Sequence, residues 1–209
     1  MPNWEIEDKY NTIVCGVDEA GRGPWVGPVV AGAVIFLNRN VNQELINSLN
    51  DSKKLSAKKR EKLYDILFHE EKLGNITCGI GLASAEEIDE LNILQATFLA
   101  MKRAVEKLKT KPQMALIDGN RLPQNFPCES SCWIGGDARS YSIAAASILA
   151  KVYRDNLMKD LAIQYPQYNF EKNAGYGTKE HIEALNKFGI TPEHRKSYKP
   201  IKMLLDKAI

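Results

Sequence analysis

The sequence holds little of what many catalytic chemistries require. It has three histidines and four cysteines in 209 residues, and a formal net charge of only +2. His69, His181 and His194 show no spacing that suggests an acid/base pair. Cys128 and Cys132 lie close together, but no second Cys/His pair has the spacing of a zinc site. Cys15 and Cys78 fall inside apolar runs, so reduced structural thiols and a cytoplasmic setting are expected. No run reaches the roughly 18 consecutive apolar residues of a membrane-crossing helix, and no membrane partner is expected. The start, Met1-Pro-Asn-Trp-Glu-Ile, lacks the basic and apolar regions of a secretory signal. Near-balanced charge neither demands nor excludes a nucleic-acid partner; where the basic residues sit matters more. No internal repeat or low-complexity tract occurs. With 44% hydrophobic and 26% charged residues, one sizeable core is expected.

What is present is a series of apolar runs that end in acid. Residues 12–17 and 29–37 read as neighbouring strands, apolar enough to be covered on both faces. Ser56 caps a helix to about residue 70, and residues 76–83 read as a third strand. Two capping boxes follow, Ser84 with Glu87 and Asn92 with Gln95. The second opens an amphipathic helix in which Leu94, Phe98, Met101, Val105 and Leu108 recur at helical spacing. Residues 114–117 and 133–134 read as short strands. A helix over 142–155 is small and apolar all round, which predicts burial and close approach to the sheet. Short helices are expected near 179–188 and 200–207. The predicted fold is α/β, a mixed β-sheet flanked by helices with a small helical C-terminal lobe. Residues 1–160 form the core, and 161–209 a mostly helical lobe of the same domain.

The acids are Asp18 and Glu19, Asp118, and Asp137, each at the end of an apolar segment. Strand ends of α/β sheets gather ligand sites, so these carboxylates can meet. Close together they repel and raise one another's pKa unless cations intervene, and oxygen-only donors select Mg²⁺ or Mn²⁺ over zinc. The simpler alternative stays open: an aspartate at a strand end is often a turn residue or a cap. Adjacent strand residues also face opposite ways, so Asp18 and Glu19 share a site only if the strand twists or bulges.

The chain resembles ribonuclease HII, the type 2 ribonuclease H family. The matching stretches are Gly16-Val-Asp-Glu-Ala-Gly-Arg-Gly-Pro, Asp51-Ser-Lys-Lys-Leu, Ile117-Asp-Gly-Asn, Gly136-Asp-Ala-Arg, Ser142-Ile-Ala-Ala-Ala-Ser-Ile-Leu-Ala-Lys-Val-Tyr-Arg-Asp, Gly175-Tyr-Gly-Thr and His194-Arg-Lys-Ser-Tyr, in colinear order. The resemblance implies an RNase H-like fold and a metal-dependent endonuclease, with Asp18, Glu19, Asp118 and Asp137 as the catalytic, metal-holding carboxylates. The implied site takes two Mn²⁺ or Mg²⁺ ions. The implied substrates are RNA–DNA hybrids and single ribonucleotides embedded in duplex DNA, cut on the 5′ side to leave 3′-hydroxyl and 5′-phosphate ends. Arginine at position 22 sets the chain apart from ribonuclease HIII, which usually has lysine there and an additional N-terminal domain. Gly135 is a departure, since many members carry lysine before the last Gly-Asp.

The expected substrate-reading residues are Gly21, Arg22 and Gly23, whose backbone can approach a 2′-hydroxyl, and Tyr176, a ring the resemblance implies stacks at the ribose–deoxyribose junction. Lys53 precedes a basic helix, and Arg195 and Lys196 lie in a second basic cluster; with a nuclease site between them, both are expected to bind duplex backbone. The protein is expected to act as a monomer. A structure-selective DNA nuclease and a catalytically silent hybrid-binding module are the competing readings.

Overall fold

The computed structural model describes residues 1–207. A five-stranded sheet in the order β3-β2-β1-β4-β5 lies at its centre. The strands are β1 (Val14–Ala20), β2 (Val29–Phe36), β3 (Ile76–Ala83), β4 (Met114–Asp118) and β5 (Glu129–Trp133). β1, β2 and β3 pair antiparallel, whereas β4 and β5 join β1 in parallel. The mixed α/β sheet read from the sequence is therefore the one observed. β1 runs three residues past its expected end, because β2 continues to pair with Asp18, Glu19 and Ala20. β5 lies upstream of its expected place. Its residues Glu129, Ser130 and Ser131 are polar, as suits an edge strand, and so carried no apolar signal.

One face of the sheet is covered by α4 (Ile93–Glu106), where Ala100, Met101 and Ala104 pack on Val17, Ala31 and Ile117. Asn92 caps this helix by accepting the Leu94 and Gln95 amides. The other face is covered by α5 (Tyr141–Gln164) with α2 (Ala57–Lys72) alongside it. α5 lies so close that a Cβ on Gly16 would fall 2.1 Å from the Ser142 backbone, and one on Gly32 would fall 2.4 Å from the Ala146 carbonyl. Small residues on both partners permit that approach, as the alanine run predicted. α5 also extends well beyond the expected residue 155. Nothing there breaks a helix, and Met158 and Leu161 carry it into a C-terminal cluster with Val26, Tyr168, Phe170, Leu185 and Ile201.

The shorter helices are α1 (Gln43–Ser48), α3 (Ala85–Leu91), α6 (Phe170–Asn173), α7 (Lys179–Phe188) and α8 (Lys199–Lys207). α7 and α8 fall where expected; α1 and α6 are too short for a helical period to register. No helix among the described residues is long and apolar enough to cross a membrane.

Candidate active site

β1 and β4 are parallel with Val17 opposite Ile117, so the next residue on each, Asp18 and Asp118, stand side by side where β4 ends and β1 continues. β5 follows in parallel with Trp133 opposite Asp118. The chain then bends through Gly135, at φ 63°, into the single helical turn Gly136–Ala138 that carries Asp137. Asp118 Oδ1 accepts the Gly136 N–H at 2.7 Å and ties the two segments together. The left-handed backbone at Gly135 favours glycine, which gives a physical reason for the departure noted there.

Asp18 is buried against α5, and its Oδ1 accepts the Glu19 N–H at 2.7 Å. Glu19 points toward the α4 side, as regular alternation requires, and the pairing with β2 passes through both residues without a bulge. The two nevertheless meet, because β4 stops at Asp118 and leaves Glu19 without a strand neighbour on that side. Glu19 lines a cleft of about 600 Å³ together with Asp18, and a second of about 350 Å³ together with Asp118.

Burial raises the pKa of all four carboxyl groups. Asp18 is pushed well above the ordinary carboxylate range by burial, and further by Glu19 and Asp118. Glu19 is raised by burial against the opposing pull of Arg22, whose Nη1 lies 3.3 Å from Glu19 Oε1. Burial also raises Asp118, against the Gly136 amide. Asp137 is raised by burial and then by Asp118 and Asp51. The Lys53 ammonium opposes the shift at Glu19, Asp118 and Asp137, which places its charge beside the cluster. Among the described residues no three His, Cys, Asp or Glu side chains are arranged as a finished metal cage. The donor set nonetheless has the chemistry of a hard divalent cation: oxygens only, mutually repelling, and partly desolvated.

The larger cleft brings together most of the predicted substrate-reading residues. Gly21, Arg22, Gly23, Lys53 and Tyr176 all line it with Asp18 and Glu19. The Tyr176 ring is 52% exposed and lies over Gly23, where an added Cβ would sit 3.3 Å from Tyr176 Cε1. Gly21 has φ 95°, and a Cβ there would fall 2.1 Å from Arg154 Nε.

Arg195 is placed otherwise than the sequence suggested. Its side chain is fully buried, and its guanidinium donates to the carbonyls of Gly21, Arg22, Pro24 and Gly27. Such a group braces the loop after β1, and its burial keeps it from a phosphate. Lys196 is exposed, with its amide donating to Asp89, so only its side chain is free to meet a duplex. The histidines also differ from expectation. His181 and His194 do pair, Nε2 to Nε2 at 3.1 Å, but in the interior of the C-terminal cluster rather than at the carboxylates.

Several residues near the carboxylates escaped the sequence reading. Asp51 caps the turn Ser52–Lys54 by accepting the Lys53 N–H at 2.9 Å, and stands close enough to raise Asp137. It ends no apolar run, so the strand-end criterion passed over it. Ser147 of α5 donates to Ser52 Oγ at 2.8 Å and supports Asp18. Arg154, buried, donates to the carbonyls of Val26, Pro28 and Ala174. Burial and the nearby Arg195 lower its pKa to about 10. With Lys151 and Asp155 charged beside it, its charge alone did not mark it out.

The model of the Ribonuclease HII family matches residues 15–201. Ribonuclease HII of Paramagnetospirillum magneticum is 50% identical over 201 residues, covering 96% of this chain and 97% of that protein. Ribonuclease H2 from Pyrococcus horikoshii OT3 superimposes with a TM-score of 0.74 at 26% identity, covering 93% of this chain and 98% of that one. Bst-RNase HIII, solved in complex with Mn²⁺, has a TM-score of 0.67 at 16% identity, covering 94% of this chain and 70% of that one.

Proposed function

The chain belongs to the ribonuclease HII family and is a ribonuclease H acting on RNA–DNA hybrids, and we propose that it also cuts at single ribonucleotides embedded in duplex DNA. Cleavage falls on the 5′ side of the ribonucleotide. A water oxygen bonds to phosphorus as the P–O3′ bond breaks, leaving a 5′-phosphate on the ribonucleotide and a 3′-hydroxyl upstream. Asp18, Glu19, Asp118 and Asp137 hold divalent cations, Mn²⁺ or Mg²⁺. Such cations, when bound, supply Lewis acidity and a water of lowered pKa. The observation that carries this reading is the gathering of four raised carboxyls beside the glycine-arginine-glycine turn and the Tyr176 ring.

The protein's own groups have separable tasks in this scheme. Glu19 holds Arg22 at the mouth of the cleft, where its exposed guanidinium is available to a phosphate. The backbone of residues 21–23 approaches the ribose and reads its 2′-hydroxyl, and Tyr176 stacks on the sugar–base step beside it. Lys53 offsets the negative charge of carboxylates and phosphate together. Residues 161–209 act as the substrate-binding lobe of the core formed by 1–160, and the protein works as a monomer. Matched duplexes with one, four or no ribonucleotides test the scheme, each with divalent cation and with excess EDTA. Cation-dependent cleavage 5′ to the single ribonucleotide, with the all-DNA duplex intact, is expected. Equal cleavage of all three duplexes, or undiminished cleavage in EDTA, would overturn it.

A further inference from the structure

The Tyr176 side chain is half exposed, whereas its backbone is tied down on both sides. The Tyr176 N–H donates to Asn173 O and the Tyr176 carbonyl accepts the Thr178 N–H, both at 2.9 Å. That carbonyl also lies 2.9 Å from His181 Nδ1. His181 and His194 are 0% and 1% exposed, in a nest that includes Trp25, Tyr168 and Phe170. Beyond the Nε2 to Nε2 contact, His194 Nδ1 accepts the Thr191 N–H at 2.9 Å, with Thr191 Oγ1 at the same distance.

The two ends of this chain of contacts settle its hydrogens. A carbonyl only accepts, so His181 Nδ1 carries a hydrogen. A main-chain N–H only donates, so His194 Nδ1 is bare. Neutral rings then leave His181 Nε2 bare and His194 Nε2 protonated, which supplies the single hydrogen their contact needs. One tautomer of each ring satisfies all four nitrogens. A third proton would oppose either the Thr191 amide or the facing N–H. Burial holds both rings below the ordinary histidine range, consistent with a neutral pair.

We infer that His181 is a positioning residue for Tyr176: its Nδ1–H, in the tautomer that the buried neutral His194 selects, fixes the Tyr176 carbonyl and thereby aims the exposed ring over Gly23. The inference rests on the ribose-reading role proposed for Tyr176. Neither imidazole touches substrate; their effect passes through the peptide at 176. Gly177 assists, because a Cβ there would fall 2.0 Å from the Trp25 ring that also packs on His181, so the loop cannot shift toward the pair.

Two substitutions at His181 separate positioning from packing. His181→Asn keeps a donor near the place of Nδ1 and loses the link to His194. His181→Gln keeps the link to His194 and loses the donor to Tyr176. The glutamine variant is expected to lose about tenfold in kcat/KM on a duplex with one embedded ribonucleotide, the size of an ordinary coupling between contacting residues. Its affinity for plain DNA should stay within about twofold, and the asparagine variant should stay within about threefold of the parent on both measures. In a Tyr176→Ala background the glutamine change should cost little further. Equal losses in the two variants, or a full additional loss in the Tyr176→Ala background, would reduce the pair to packing and overturn the inference. If Tyr176→Ala alone cuts at the parent rate, the ribose-reading role itself is wrong, a result distinguishable from failure of the positioning by His181.

Discussion

Replacing Arg195 by methionine separates the two roles a basic residue beside a nuclease cleft can have. The Arg195 guanidinium reaches Gly21 O at 2.6 Å, Pro24 O at 2.7 Å, Gly27 O at 2.9 Å and Arg22 O at 3.0 Å, and Nη1 also contacts the Tyr198 hydroxyl at 2.9 Å. Methionine refills much of the stem volume and donates nothing, so the carbonyls lose their partner. Each hydrogen bond to a charged group contributes roughly 1.5–3 kcal/mol. The full sum is not expected, because Gly21 and Arg22 sit at a partly open turn and recover water, whereas Pro24 and Gly27 are buried. A loss of about 3–5 kcal/mol is the balance, the range seen when one partner of a buried charged contact is removed. At about 2–4 °C per kcal/mol for a chain of this size, the melting temperature should fall on the order of 10 °C. Thermal unfolding is measured without metal, and duplex affinity across a salt series. Arg195→Met should melt early while the salt slope of its folded fraction is unchanged. Lys196→Ala should melt normally and reduce the slope by about one. An Arg195→Met protein that melts like the parent but has a shallower slope would refute the brace and restore phosphate binding to Arg195.

Asp118→Asn and Asp137→Asn should each lower cleavage by orders of magnitude while the fold survives. Because both carboxyls are raised in the folded protein, their ionised forms destabilise it at neutral pH. The amides should therefore melt no lower than the parent without metal, and the difference should shrink as the pH falls and the parent carboxyls take up protons. A large drop in melting temperature at neutral pH would contradict this electrostatic picture. Tyr176→Ala removes a stacking surface of roughly 1–3 kcal/mol, so cleavage at a single ribonucleotide should fall at least several-fold more than affinity for plain DNA. Gly23→Ala should act in the same direction, since its Cβ would press on the ring at 3.3 Å. His194, at about 4 in the folded protein against an ordinary 6.5, binds fewer protons folded than unfolded between those values. Its contribution is thus present above about pH 6.5 and lost on descending toward pH 4, with a ceiling of about 3 kcal/mol. The raised carboxyls act with the opposite sign, so the readout is the difference between the parent and His194→Gln melting curves over that range, which should narrow as pH falls.

The carboxylates were legible in the sequence because their placement follows from local pattern. An apolar run that ends in acid marks an acid next to the sheet whatever the strand order. Only Asp118 ends a strand, since β1 continues through Asp18 and Glu19 and Asp137 lies on the turn after β5. Parallel pairing of β1 with β4 brings Asp18 beside Asp118. The turn at residues 21–23 was legible for a similar reason, since two glycines around one arginine mark a bend next to the acids. Asp51 was not, because it reaches Asp137 only through the packing of a non-strand turn against α5. Charge was the least legible feature. Lys196 and Arg195 are neighbours of the same sign in one run, yet one side chain lies in solvent and the other is wholly buried. Sequence reports the charge of a residue but not which carbonyls surround it. After β1 the chain crosses residues 21–28 without regular pairing, and its carbonyls in that stretch need donors from elsewhere. Arg195 and Arg154 supply them from different elements, through forks that lysine could not reproduce. The loop after β1 is thus shaped from behind by two buried cations, which leaves its front, with Arg22 and the Tyr176 ring, open to the cleft.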